Sequence, residues 1–105
     1  MDYSKLSDAE INWKVAFHIG LRTVEKAESG DFNPCSNPSD AWPIIIENMI
    51  SLCAYKRANP GMKEVSWWEA DNFCEHITRD DNPLRAAMIV FLMMQDSANV
   101  QDNTA

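Results

Sequence analysis

The sequence predicts an α+β fold, a small single domain in which three to four helices pack on a short β-hairpin or a small antiparallel sheet. Two helix-capping signals predict the helices: one stands near the start of the chain, and one near the end is followed by a continuous apolar run. Between them, two segments of alternating apolar and polar residues flank an Asn-Pro-Gly turn, which is typical of a hairpin.

A chain of 105 residues has room for one hydrophobic core. Hydrophobic residues make up 46% of it and charged residues 24%, which is the balance of a globular protein rather than of a disordered one. We therefore expect one globular domain over residues 1–96 and a flexible polar tail over residues 97–105.

The first helix is predicted over residues 8–19, between a capping box and Gly20. In the box, the Ser7 hydroxyl accepts from the backbone N–H of Glu10, and the Glu10 carboxylate accepts from that of Ser7. The apolar stripe of this helix is formed by Ile11, Val15, Ala16, Phe17 and Ile19. Residues 22–28 are expected to form a short helix or a polar turn.

The segment 32–48, FNPCSNPSDAWPIIIEN, contains three residue–proline pairs and then an apolar run. Residues that precede proline avoid the α region, so the segment should be a stiff, extended loop that leads into a short helix over residues 40–48. Pro38 suits the first turn, and Pro43 is tolerated only near the start of a helix. We expect this helix to bury Trp42, Ile45 and Ile46.

A β-hairpin is predicted from strands over residues 50–56 and 62–68. Pro60 and Gly61 suit the two central positions of a type II turn, the second of which requires a positive φ. Residues 69–77 are expected to form a further short helix.

The run Asp80-Asp81-Asn82-Pro83 is a helix start, and it predicts the last helix over residues 83–96. Residues 86–94, AAMIVFLMM, are apolar on every side of that helix. The helix is therefore either the central core helix or a surface that also contacts another chain, for example in a homodimer. In the first case the hairpin would cover one of its sides through Leu52 and Trp67.

The net charge indicates which classes of partner the chain can bind. Sixteen acidic and nine basic residues give −7, so direct binding to nucleic acid is not expected, and a basic or neutral partner fits better. The alternative is that acidity only keeps the chain soluble. The longest apolar run, residues 86–94, is far short of the roughly 20 residues that a membrane span requires.

Three cysteines and a histidine are the candidate metal ligands: Cys35, Cys53, Cys74 and His76. Structural zinc sites pair their ligands at spacings of two to four residues, which this set lacks, so we expect structural thiols, reduced in a cytoplasm. A Cys74–His76 nucleophilic pair is equally weak. A cluster of acids is expected to be a solvated face: Glu69, Asp71, Glu75, Asp80 and Asp81. No cofactor, metal or catalytic residue is predicted.

The tryptophans are the candidate partner-binding residues: Trp13, Trp42, Trp67 and Trp68. Adjacent residues on a strand point to opposite faces, so one of Trp67 and Trp68 should enter the core and the other should be exposed or covered by a partner. Trp13 lies off the apolar stripe of its helix. Tryptophan is enriched in interface hot spots, and the alternative is that these rings pack under neighbouring loops.

Three blocks of the chain resemble the phage protein NinX family: MDYSKLSDAEIN, FNPCSNPSDAWPIIIENMISL and NPLRAAMIVFLMM. They cover about half of the chain and occur in the family's order. The resemblance implies a phage or prophage origin and a site of action in the bacterial cytoplasm, and it implies no catalytic residues.

Two functions stay open at this point. The first is a non-enzymatic interaction protein that binds a host or phage protein, which the acidity, the tryptophans and the lack of a catalytic motif favour. The second is a small enzyme or a nucleic-acid-processing accessory factor, which only the genomic setting of such proteins suggests.

Overall fold

Helices pack on one face of an antiparallel sheet in the computed structural model, which describes the backbone of residues 2–104 and the side chains of residues 2–98. The predicted α+β class is confirmed. After a short 3-10 helix at Tyr3–Lys5, the elements are α1 (Asp8–Ile19), α2 (Leu21–Ser29), α3 (Pro38–Glu47), β1 (Ser51–Arg57), β2 (Val65–Asn72), β3 (His76–Asp80) and α4 (Pro83–Thr104).

The helix α1 begins at the predicted capping box. The Glu10 N–H donates to Ser7 Oγ at 3.1 Å, and the Ser7 N–H donates to Glu10 Oε1 at 3.3 Å. The buried residues of α1 are Ile11, Asn12, Val15 and Ala16. The predicted stripe is wrong for Phe17 and Ile19, which are exposed. Phe17 projects from the opposite side of the helix, and Ile19 stands at its last turn, where less of the chain covers it.

The helix α3 begins at Pro38, two residues before the predicted start, because the Asn37 side chain accepts from the N–H of Ser39 at 3.0 Å. It buries Ala41, Ile44 and Ile45. The expected burial of Trp42 and Ile46 is wrong, since both side chains are exposed. They are four residues apart and share the face next to the buried one.

Pro43 lies inside α3, past the first turn to which the sequence analysis assigned it. A proline there leaves the carbonyl of Ser39, four residues back, without its helical donor. Both residues are exposed, so water can reach the carbonyl and the interruption is tolerated.

The strands β1 and β2 form the predicted hairpin, with Tyr55 opposite Trp67. In the connecting turn, the Met62 N–H donates to the Asn59 carbonyl at 3.0 Å and Gly61 has φ 78°, as a type II turn requires. The helix expected over residues 69–77 is wrong. β2 continues to Asn72, and a turn then leads to β3, which pairs with β2 antiparallel.

That turn explains the missing helix. Phe73 and Cys74 have φ 51° and 65°, and residues in this left-handed region cannot continue a right-handed helix. Phe and Cys are not the residues that usually adopt this conformation, so the turn signal in the sequence is weak here.

The two faces of the sheet differ. Leu52, Ala70 and Asn72 share the face that α4 covers, while Tyr55 and Trp67 lie on the outer face. The expectation that Trp67 covers the last helix is therefore wrong. Trp67 is half-buried on the outer face.

Trp68 is on the core side of the sheet but is 36% exposed, so neither tryptophan enters the core. Its cross-strand partner is Asp80, the last residue of β3, so Trp68 lies level with the connection to α4 rather than beneath the helix.

The helix α4 is the central core helix. Its residues 86–92 are all buried, and it packs against α1, α3, β2 and β3. Its start at Pro83 is as predicted, and the Leu84 N–H donates to the Asn82 side chain at 2.9 Å. This burial accounts for the apolar run within one chain, and homodimerisation through residues 83–96 stays a prediction.

The end of α4 differs from the prediction. The helix runs to Thr104 rather than ending at residue 96, because the polar residues that follow include neither Gly nor Pro. The flexibility of residues 97–105 stays a prediction, and it concerns side chains that lie mostly outside the described residues. In the part of the chain that the structure describes, no helix has the length and apolar character that a bilayer crossing demands.

Arg85 joins three parts of the fold. Its Nε donates to Asp80 Oδ2 at 3.0 Å and its Nη1 to Asp8 Oδ1 at 2.6 Å. Its Nη2 donates to the carbonyls of Leu6, at 2.7 Å, and Ser4, at 3.1 Å. The end of β3, the start of α1 and the N-terminal segment are thereby fixed to the first turn of α4.

Asparagine side chains hold the proline-rich loop. Asn12 Oδ1 accepts from the Cys35 N–H at 3.1 Å, and Asn12 Nδ2 donates to Asn33 Oδ1 at 2.8 Å. On the other side, Asn82 Nδ2 donates to the Cys35 carbonyl at 2.6 Å. The loop therefore bridges α1 and the cap of α4.

Phe91→Ala should lower the free energy of unfolding by about 3–5 kcal/mol, because it empties a buried aromatic site. Trp42→Ala should change it by no more than about 0.5 kcal/mol, because the ring it removes is exposed. Chemical denaturation of both variants measures the two effects. Equal losses would show that Trp42 is part of the core.

Arg85→Ala should lower the free energy of unfolding by about 3 kcal/mol. The substitution leaves the largely buried carboxylate of Asp80 without its ion-pair partner. The matched control is Lys56→Ala, whose ammonium pairs with Glu64 at 2.6 Å between exposed side chains. That variant should lose less than about 1 kcal/mol. Equal losses of unfolding free energy for the two variants in urea denaturation would contradict the role of Arg85 in fixing β3 and α1 to α4.

Candidate binding surface

The structure does not bring the four candidate tryptophans together. Trp42 lines one concavity with Phe73, Trp13 lines a second, and the adjacent pair Trp67 and Trp68 lines a third. Each of these surfaces therefore has to be assessed separately.

The first concavity, here called the α3–β1 groove, has a volume of about 470 Å³ and is open to solvent. It is lined by Trp42, Ile45, Ile46, Met49, Ile50, Ser51, Leu52 and Phe73. Four large apolar side chains around it are more than half exposed: Trp42 at 57%, Ile46 at 56%, Met49 at 64% and Phe73 at 67%. Isolated apolar side chains on a surface are normal, but a contiguous set is typical of an interaction site.

Two of these side chains stand on unusual backbone. Met49 has φ 52° and Phe73 has φ 51°, in the left-handed region that bulky residues rarely adopt. A hydrogen bond from Asn72 Nδ2 to the Asn48 carbonyl, at 3.0 Å, ties the two turns together. Strained positions of this kind persist where the surrounding structure holds them, and they cluster at functional sites.

The groove lies in an acidic part of the chain. From residue 27 to residue 55 the sequence has neither Lys nor Arg. Glu75 is two residues from Phe73, and Asp71 lies opposite the groove residue Ser51 in the sheet, whereas Glu47 lines a separate concavity with Ile44 and Phe91. The flanks of the groove therefore attract cations and repel anions.

The outer face of the sheet carries an aromatic pair. Tyr55 and Trp67 stack with ring centroids 5.7 Å apart, and the guanidinium carbons of Arg57 and Arg79 lie 5.8 and 5.9 Å from the Trp67 centroid. Arg79 also pairs with Glu69 at 3.0 Å. The faces of Trp67 are thus already in contact with residues of this chain.

The concavity that Trp13 lines is on α1. Trp13 stacks on Phe17 with centroids 5.7 Å apart, and its Nε1 donates to Glu28 Oε1 at 3.3 Å. The hydrogen bond crosses to α2 and the stack lies within α1, so Trp13 already packs against residues of its own chain. Phe17 remains exposed beside it.

The candidate metal and catalytic residues are dispersed. Cys35 is buried, whereas Cys53 and Cys74 are exposed, and all three are free thiols. Among the described residues, no three His, Cys, Asp or Glu side chains are grouped as metal ligands would be. His76 Nε2 lies 3.2 Å from Ser97 Oγ, but no hydrogen bond from another described side chain orients the ring.

Sequence reasoning missed Met49 and Phe73, and it placed Ile46 in the core. A signal exists in the chain, because each of the two missed residues follows an asparagine at the end of an element, in Asn48-Met49 and Asn72-Phe73. That signal is weak, since a left-handed conformation is expected of the asparagine rather than of the bulky residue after it.

Fold and surface together define a small α+β domain with open, largely apolar concavities. The family model described as "Bacteriophage P22, NinX" matches residues 2–95, so the chain belongs to this phage protein family, as its resemblance implied. No curated protein and no solved structure matches the chain.

Native protein should react with a thiol reagent at Cys53 and Cys74 but not at Cys35. Burial, with the nearby Asp8 and Asp80 carboxylates, raises the pKa of Cys35 from 9.0 to about 12, and the thiolate is the reactive species. A reagent count near pH 8 should therefore give two thiols before unfolding and three after it. A native count of three would contradict the burial.

The same shift predicts a pH dependence. The folded-state pKa of Cys35 exceeds its unfolded value, so its contribution to stability is complete below about pH 9 and is lost as the pH rises towards about 12. Cys35→Ala should weaken this alkaline loss, whereas Cys53→Ala should leave it unchanged, in denaturation curves recorded across that range.

Proposed function

We propose that this phage protein is an accessory factor that acts without catalysis, by binding a host or phage protein through the α3–β1 groove. The observation that carries the proposal is the set of four side chains around the groove, Trp42, Ile46, Met49 and Phe73, each more than half exposed. No packing within the described residues requires them to be apolar.

Their energetics favour an interface. Apolar area removed from water contributes about 25 cal/mol per Å². A partner that covers these side chains would therefore stabilise the complex through area that folding leaves exposed. Large aromatic side chains at the centre of a contact dominate the affinity of interfaces, and Trp42 and Phe73 are of that type. The groove between them offers a concave seat for an apolar side chain of the partner.

The partner is expected to be basic around its apolar contact. Asp71 lies opposite the groove residue Ser51, Glu75 is two residues from Phe73, and the whole chain carries −7. Complementary charge speeds association and excludes acidic competitors.

The alternative, a nucleic-acid-processing factor, is favoured by one feature only: the two guanidiniums beside Trp67 on the outer face of the sheet. Stacking with a base requires an accessible ring face, and Tyr55 and these guanidiniums occupy those of Trp67. Glu69 on the same face repels phosphate. The protein-binding function is therefore better supported.

The bacterial cytoplasm is the proposed place of action. All three cysteines are free thiols, and two of them are exposed, which suits a reducing compartment.

A pulldown from bacterial lysate with three baits tests the proposal: the wild-type chain, the Ile46→Ser/Phe73→Ser double variant, and Leu21→Ser as control. Leu21 is exposed but lies outside the groove. We expect the wild type and the control to retain one stoichiometric protein, and the double variant to retain about tenfold less, which corresponds to 1.4 kcal/mol. Circular dichroism should show all three baits folded alike.

A captured protein that all three baits retain equally would refute the groove as the binding surface. Enrichment of nucleic acid or of a nucleotide, in place of a protein, would support the enzymatic or nucleic-acid-processing alternative.

A further inference from the structure

The strand β1 has an open edge. Within residues 2–104 the sheet order is β1-β2-β3, so β1 pairs only with β2. Every residue of β1 except Leu52 is exposed. About half of the backbone N–H and C=O groups of such a strand point away from the sheet, where another strand can pair with them.

This edge lacks the usual protection against pairing. Natural edge strands are blunted by charges, prolines or bulges, yet Ser51–Tyr55 contains no charged residue, no proline and no glycine. Its charges, Lys56 and Arg57, come only at the far end. The opposite edge, β3, carries Arg79 and Asp80, both of which form ion pairs.

The unprotected part of β1 adjoins the α3–β1 groove. Ser51 and Leu52 both line the groove, although consecutive residues of a strand point to opposite faces of the sheet. The groove therefore reaches the strand itself rather than one face of it. An extended chain laid along β1 would place alternate side chains towards the groove.

We propose that the partner docks as an extended, basic segment that adds a strand to the free edge of β1 and seats an apolar side chain in the α3–β1 groove. This inference rests on the proposed function and specifies its binding mode. Main-chain hydrogen bonds to β1 supply part of the affinity, and the groove with the neighbouring Asp71 and Glu75 selects the segment.

A second copy of the chain fits this edge less well than a basic segment does. Each copy carries −7, so two copies repel each other, whereas a basic segment is attracted.

The test uses short synthetic peptides, selected from a displayed random library on the immobilised full chain. Each backbone amide of a selected peptide is N-methylated in turn, and binding is measured by calorimetry. Because methylation removes one donor, we expect about tenfold weaker binding at every second residue of the docked segment and little change between them. The change is made in the peptide, so the fold of the protein is not perturbed.

A second readout is amide hydrogen exchange. Peptide binding should slow exchange in residues 51–55 of β1 and leave β3, the other edge, unchanged. The selected peptides should be enriched in Lys and Arg around an apolar residue.

The outcomes separate the two proposals. Peptides that require Ile46 and Phe73 but show no alternation on methylation, or no protection of β1, overturn strand addition and leave the groove as the binding surface. A library that yields no groove-dependent peptide overturns the proposed function together with this inference. A chain that dimerises and protects its β1 amides without peptide assigns the edge to a second copy and also overturns it.

Discussion

The guanidinium of Arg85 is the contact on which the arrangement of this domain depends. Its donors reach two carboxylates and two backbone carbonyls, which belong to the N-terminal segments about eighty residues away in the chain and to the strand just before α4. A planar guanidinium with five donors can satisfy acceptors on several sides at once. The first turn of α4 is fixed in this way, and the buried stretch that follows is directed beneath the sheet.

Two asparagine side chains fix the position of the proline-rich loop in a similar way. Asn12 and Asn82 bond to the N–H and the carbonyl of Cys35, so both polar groups of that buried peptide segment are satisfied. Prolines limit the conformations of the unfolded loop, and the asparagines fix the folded one. This leaves α3 anchored at its start, with one face on the core and the next face directed outward.

Local signals determined how much of this could be predicted. The capping box at Ser7, the start of α4 at Pro83 and the turn at Gly61 were predictable because each depends on residues within one turn of chain. The outward face of α3 was not, because Ile45 and Ile46 are the same residue type and only the rotation of the helix against α4 buries one and exposes the other. The third strand was missed because Phe73 and Cys74 adopt a turn conformation that their types disfavour. The candidate groove depends on both of these points, so its tryptophan was identified from sequence while its other exposed residues were not.

The left-handed backbone at Met49 and Phe73 has a consequence for how this protein can vary. Glycine or asparagine would adopt those conformations at less cost, so replacing either residue would relax the main chain while it deleted part of the apolar surface. Selection for thermal robustness alone would then drive both positions away from bulky side chains. Variants collected in such a selection would be more stable but would have less apolar surface at these two positions. The positions of their substitutions would therefore distinguish residues that are kept for function from residues that are kept for stability.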